Sequence, residues 1–137
     1  MTRPFRQWAI ALPPGTRLLS ANGREHWRQR AAVTAELRRT AGWLAKAQKI
    51  PRLERAHVLA VYEPPDRRRR DPANLYPSVK ACVDGLTDAG AWADDDAAHV
   101  TGPDMRLGPV CRWGRLTITI TELPARARQA IRKENNP

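Results

Sequence analysis

Apolar residues change their period several times along the chain, and each change marks an element. The run Trp8 to Leu12 predicts a first strand, ended by Pro13, Pro14 and Gly15, with a polar loop carrying Asn22 and Gly23 behind it. From about Glu25 to Ala47 good helix formers dominate. There Val33, Leu37 and Leu44, with Ala41 between them, recur at helical spacing, which predicts a long helix with one apolar face. His57 to Tyr62, rich in valine and aromatic character, predicts a second strand closed by Pro64 and Pro65. A second helix is expected over about Asn74 to Ala89, with Leu75, Val79, Cys82, Val83 and Leu86 as its apolar stripe and Gly90 as its stop. A short strand near His99 to Gly102 and a last strand from Arg115 to Glu122 complete the set. In the last strand Leu116, Ile118 and Ile120 alternate with Thr117, Thr119 and Thr121, the pattern of a sheet buried on one side. These elements predict a mixed α/β (α+β) fold. It would be a single small domain over residues 1–123 with about four strands and two main helices, followed by a charged, flexible tail over 124–137. The order of the strands is not legible.

A chain of 137 residues has room for one compact domain and a core that needs neither disulfide nor structural metal. Cys82 and Cys111 match no zinc spacing and no disulfide framework, and are expected as structural thiols of a reducing compartment. No apolar run reaches the roughly 18 residues of a spanning helix. Met1 to Leu12 also lacks the apolar core and small-residue cleavage site of a signal peptide, so the expected location is the cytoplasm, with no membrane partner. Charge changes the picture most. Lys and Arg number 24 against 14 Asp and Glu, a net charge of +10. Such an excess calls for a polyanionic partner rather than a small-molecule substrate, and nucleic acid accounts for it through counterion release. Arg24, Arg28, Arg30, Arg38, Arg39, Lys46 and Lys49 line the first helix region. They form either a DNA-facing surface or a solvated helix face, and the net charge tilts the choice toward DNA.

Carboxylates embedded in this basic background carry the candidate chemistry. The segment Asp66-Arg67-Arg68-Arg69-Arg70-Asp71-Pro72-Ala73-Asn74 opens the second helix, and Asp94-Asp95-Asp96 follows it. Phosphodiester hydrolysis explains the pairing. Mg²⁺ takes oxygen ligands and keeps several waters, so carboxylates gathered from separate segments can hold one or two ions while arginine and lysine clamp phosphate. Each feature also has a plainer reading. Asp71 before Pro72 makes a good helix N-cap, Asp94 to Asp96 can be a polar loop, and Arg67 to Arg70 alone would signal nucleic-acid affinity without catalysis. His26 and His99 have no ligand partner at metal-binding spacing and are assigned no catalytic part.

The segment from Pro65 to Val100 resembles the RusA family of crossover junction endodeoxyribonucleases. The resemblance rests on Pro-Asp-Arg-Arg-Arg-Arg-Asp at 65–71, on Asn74-Leu75, and on Asp84-x-Leu86-Thr87-x-Ala89-Gly90-x-Trp92-x-Asp94-Asp95. The strand ending in Leu12-Pro13 and the final Arg115 to Glu122 are also similar, so the likeness spans most of the chain and is weakest in the first helix. It implies a homodimeric, Mg²⁺-dependent Holliday junction resolvase that nicks two strands of a four-way DNA junction symmetrically, in recombination and repair, often from a phage or prophage. Carried over by position, the motif aspartate is Asp71, the following asparagine Asn74, and the later essential aspartate Asp95, with Asp96 as the alternative and Asp94 as a further metal ligand. Arg67, Arg68, Arg69, Arg70, Arg24 and Arg28 are the DNA-binding candidates. Two positions depart from the pattern. Ala73 stands where a second acid is expected, and Pro77 where a lysine is expected three residues after the asparagine. Lys80, one turn further on, is the candidate to serve as that lysine. The departures leave an alternative in which the protein binds branched DNA with impaired catalysis. A ribosome-like RNA-binding module ranks below both, because charge alone gives no reason for the acids that punctuate the basic segment.

Overall fold

A computed structural model describes residues 5–125. The tail expected over 124–137 therefore lies outside the described residues from 126 onward. In chain order the elements are β1 (Gln7–Ala11), α1 (Trp27–Ala47), β2 (Ala56–Glu63), a single 3-10 turn (Pro72–Leu75), α2 (Tyr76–Asp88), β3 (Val100–Leu107) and β4 (Arg115–Glu122). The four strands form one sheet in the order β1-β4-β2-β3, in which only β2 and β3 run parallel.

Both helices pack on one face of this sheet. Ile10, Val58, Ala60, Leu116, Ile118 and Ile120 point toward them and meet Val33, Leu37, Ala41 and Ala45 of α1 and Val79, Cys82, Val83 and Leu86 of α2 in one continuous core. The alternation expected in β4 is realised: its Leu and Ile positions are buried, while Thr117, Thr119 and Thr121 lie half-buried on the opposite face beside His57, Leu59 and Val61 of β2. Among the described residues that second face carries no helix. Burial among apolar neighbours pushes the Cys82 thiol up to about 12, so Cys82 behaves as a small core hydrophobe, as expected for a structural thiol.

Two contacts fix α2 in place. Ser78 is fully buried, and its hydroxyl donates to the Leu19 carbonyl at 2.8 Å while accepting from the Leu19 amide at 2.6 Å, which staples the loop after β1 to the first turns of the helix. At the other end, Gly85 lets the backbones of α1 and α2 touch. A Cβ on Gly85 would collide with the Arg38 carbonyl oxygen, so no larger residue fits unless the helices separate. After α2, Trp92 plugs the core and donates its indole N–H to the Thr87 hydroxyl at 2.7 Å.

The boundaries differ from expectation in three places, each for a local reason. α1 begins two residues late, at Trp27, because His26 serves as its cap and accepts the Arg28 amide on Nδ1 at 3.2 Å. The second helix begins at Tyr76, not Asn74. Pro77 has no N–H to bond back to residue 73, and the preceding four residues close as a tighter turn instead. β3 is an eight-residue strand rather than a stub, although Gly102-Pro103 reads as a stop. It lies at the sheet edge, where a proline forfeits no ladder bond, and Gly102, at φ +95°, sits where the register against β2 slips between His57 and Leu59.

Replacing Ser78 by Ala leaves the buried Leu19 amide and carbonyl without their partner. Urea denaturation is expected to show a loss of about 1–3 kcal/mol; an unchanged midpoint would mean that water or a backbone shift satisfies Leu19.

Candidate functional site

The arginine run leaves β2 through Pro64, which is buried. Asp66 organises the run. Its Oδ1 accepts from the Arg70 guanidinium at 2.7 Å and from the Arg68 amide at 3.0 Å, and its other oxygen lies 3.5 Å from the Arg68 side chain. The Arg70 hydrogen bond, helped by the Arg68 amide, draws the Asp66 carboxyl down to about 2. Arg67 and Arg69 have no acidic partner among the described residues and remain exposed. Arg24 and Arg28 are likewise exposed and unpaired with acids among the described residues, and the Arg28 guanidinium stacks 5.3 Å from the centre of the exposed Trp27 ring. By contrast Arg30, Arg38 and Arg39 are tied to Glu25, Asp88 and Glu36. The basic face expected on α1 is thus partly neutralised by its own acids.

Asp71 does what its plainer reading requires. Its Oδ1 accepts the Ala73 amide at 3.0 Å and its carbonyl accepts the Asn74 amide at 3.1 Å, capping the 3-10 turn. A capping carboxylate keeps its second oxygen, so this role leaves acceptor capacity free. Asn74 accepts the Ala21 amide on its carbonyl at 2.8 Å, while its side-chain amide has no protein partner among the described residues. Asp71, Asn74, Arg69 and Arg70 share the wall of a cavity of about 310 Å³.

A second constellation lies one turn along α2. The Lys80 ammonium donates to Asp84 Oδ1 at 2.8 Å and also to the Asp95 carboxylate, bridging the helix to the loop after Trp92. Asp84 first, then Asp95, hold Lys80 above the usual lysine range. Lys80 in turn holds Asp95 below the usual carboxylate range, with smaller contributions from Asp84 and Asp94. Lysine four residues before aspartate is the weaker order for a helical pair, and acids toward the C-terminal end oppose the helix dipole. The pair therefore contributes little to the helix itself. Asp84 heads the motif that carries the family resemblance but is given no site role from the sequence. Its wrong-way spacing with Lys80 is the signal that could find it.

The rest of the acidic triplet divides. Asp94 Oδ1 accepts the Asp95 amide at 2.8 Å, whereas Asp96 turns away to pair with His99 at 2.6 Å and to accept the Ala98 amide. His99 draws Asp96 below the ordinary carboxylate range. Pro77 sits in the first turn of α2, where its missing N–H breaks no helical bond, and leaves the helix regular through Lys80. Asp71 and Asn74 are thus brought together at the start of the helix, and Lys80, Asp84 and Asp95 one to two turns further on. Asp94, Asp95 and Asp96 do not line the cavity at Asp71.

Among the described residues, no group of three or more His, Cys, Asp or Glu side chains is gathered to hold a metal ion. The donor chemistry is nonetheless that of a hard cation. Asp95 and Asp71 offer only oxygen, and Mg²⁺ is commonly held by one or two carboxylates with waters and substrate phosphate completing its shell. The donor types of these residues, and not a gathered group, fit such an ion.

Taken together, an arginine loop, a capping aspartate and a lysine held between carboxylates, on a chain of net charge +10, define a strongly basic α/β protein with acids set among its cations. Similarity to known proteins narrows the class. A stretch of 59 residues is 51% identical to the crossover junction endodeoxyribonuclease RusA of Escherichia coli K12 and equally to that of Enterobacteria phage 82, covering 43% of this chain and 45% of each relative. A 61-residue stretch is 48% identical to the protein of the same name from Escherichia coli O139:H28. The match thus spans less than half the length of these relatives, and it supports kinship with the RusA family. No protein-family profile matches the chain.

The arginine loop makes a pH-dependent prediction. Asp66 has its folded value lowered, so its hold on Arg70 is complete above the ordinary carboxylate value near 4 and is lost as pH falls through about 2. A carboxyl-detected NMR titration is expected to place Asp66 near 2 in the wild-type protein and clearly higher in Arg70→Ala, where the Arg68 amide still lowers it; equal midpoints would show that Arg70 does not hold it.

Proposed function

We propose that this protein is a structure-specific endodeoxyribonuclease that resolves four-way DNA junctions by paired symmetric nicks, acting with Mg²⁺ in DNA recombination and repair. The observation that carries the reading is the Lys80 ammonium held between Asp84 and Asp95 on the helix that the arginine run introduces. The names of the relatives supply the substrate class, and the phage 82 relative supports an origin in a phage or prophage. Asp71 and Asp95 would hold the ion, one or two per site, with Asp94 or Asp96 as further ligands. When bound, the ion supplies Lewis acidity at the scissile phosphate and an activated water. Arg67 and Arg69, free of acids, bind the backbone and fix its register. Lys80, steered by Asp84, sets a positive charge where the phosphate enters and stabilises the charge that builds on its oxygens. Asn74 offers its free amide to the strand. The 3-10 turn that Asp71 caps leads directly into α2, and Tyr76 to Lys80 spans about 6 Å of helix rise, so in this reading both groups serve one stretch of the bound strand.

A homodimer suits this substrate, since two sites related by a two-fold axis meet two equivalent strands. The helix-free face of the sheet supports that reading. On it Glu63 pairs with Arg115 and His57 with Asp104, so much of its charge is matched within the chain, which limits the opposition of like charges between two basic copies. The cytoplasm is the compartment where such a substrate is found, and no helix among the described residues is long and apolar enough to cross a membrane.

The departures at Ala73 and Pro77 favour the second reading, a branched-DNA-binding protein with impaired catalysis. A labelled four-way junction incubated with wild type and with Lys80→Met, in Mg²⁺ and in EDTA, separates the two. The resolvase reading predicts paired nicks by wild type in Mg²⁺ only, reduced at least about 100-fold in Lys80→Met as general electrostatic stabilisation implies, with the gel shift retained. Tight, selective junction binding with no nicks by wild type would establish the binding protein instead.

A further inference from the structure

We infer that the cavity between the arginine loop and the start of α2 receives one unstacked nucleobase of the bound DNA, an inference that rests on the DNA-binding reading above. The cavity is built from unlike parts. Tyr62 at the end of β2, Leu107 at the end of β3, Leu75 and Pro72 give it apolar surface, Asn74 and Ser20 give polar edges, and Arg69 and Arg70 stand on its wall. Tyr62 and Leu107 are register partners across the β2-β3 pair, so the apolar shelf is set by the sheet and not by a loop. Leu107 is 42% exposed, which places a large apolar side chain in water beside the most basic segment of the chain.

Each part excludes a simpler occupant. A phosphate group alone would need the guanidiniums and gain nothing from Tyr62, Leu75 and Leu107. An apolar peptide or lipid tail would use the shelf and leave the arginines unmatched. A nucleotide uses both, because its base has an apolar face and a polar edge and is tethered to an anion. The volume of about 310 Å³ suits one nucleotide and cannot admit a duplex. Polar capacity is also free: among the described residues neither the Asn74 amide nor the Tyr62 hydroxyl has a hydrogen-bond partner in the protein, and an amide can pair with a base edge through two bonds. Arg70 is pinned by Asp66 and can only shape the wall, while Arg69 is free to take the adjoining phosphate. An unpaired base costs least to extract where stacking is already broken, as at a branch point. The cavity would therefore favour branched over linear DNA and, through Asn74, some bases over others.

The test uses four-way junctions carrying 2-aminopurine at single positions around the branch point, bound in EDTA so that no strand is cut, with a gel shift on the same samples. Wild type is expected to brighten one position several-fold, the mark of an unstacked base. Tyr62→Ala and Leu107→Asp, the latter at an exposed strand end that tolerates charge, are expected to abolish the brightening and weaken junction binding by about 5- to 100-fold, the loss of one stacked base. Tight binding with no bright position, or brightening unchanged in Leu107→Asp, would overturn the inference and leave the DNA-binding reading standing. Absence of any junction binding by wild type would overturn both.

Discussion

Helix α2 has to be buried and functional at once, and the rest of the molecule is arranged around that constraint. Its inner side carries Val79, Cys82, Val83 and Leu86 into the core, and its backbone is pressed against α1 at Gly85, where the Arg38 carbonyl leaves no room for a side chain. Ser78 fastens its first turns to the loop after β1. With rotation and translation of the helix removed, Lys80 and Asp84 are held on the side that remains free, and Asp95 is drawn onto them from the loop beyond Trp92. Site geometry here is a product of packing, in the way that constellations placed on helices are more closely held than those on loops.

Self-pairing governs charge in a similar way. A net charge of +10 gives a general pull toward a polyanion, but internal ion pairs decide where that pull is felt. Glu25, Glu36 and Asp88 each hold an arginine of α1, and Glu63–Arg115 and His57–Asp104 pair on the opposite sheet face. Within the arginine run, Asp66 engages Arg68 and Arg70 and leaves Arg67 and Arg69 for a partner. Two of the cations left without an acid among the described residues, Arg67 and Arg69, thus stand just before α2, where Asp71 and the cavity also lie.

Much of this is legible in the sequence because period and punctuation are local. The alternating Leu, Ile and Thr of β4 and the stripe of α2 can be read directly, since one residue spacing corresponds to one face. Long-range pairing cannot. Nothing in β2 or β3 announces that they run parallel, and β3 reads as a short strand because Gly102-Pro103 stops a central strand but not an edge strand. At the site, Asp71, Asp95 and the arginine run stand out by type and order. The division of labour within Asp94 to Asp96 does not, since it depends on which acid His99 captures. Ideal helix geometry turns Lys80 away from Asn74, yet its partner is Asp95, a residue brought back by the turn after Trp92. Asp84 is visible in the motif but gets no role from it, because an acid on a helix surface is ordinary until its lysine is seen to be shared.

The central claim is that the start of the helix, with Asp71, and the Lys80-Asp84-Asp95 group one turn along act on the same phosphate. A double-mutant cycle of Asp71→Asn and Asp95→Asn, read as the single-turnover rate of junction nicking, tests it directly, because residues that work as one unit lose activity non-additively. If the site is one, the double variant falls no more than a few-fold below the slower single variant. Losses that multiply, or full activity in Asp71→Asn, would show that Asp71 is a helix cap alone and that the two groups do separate work.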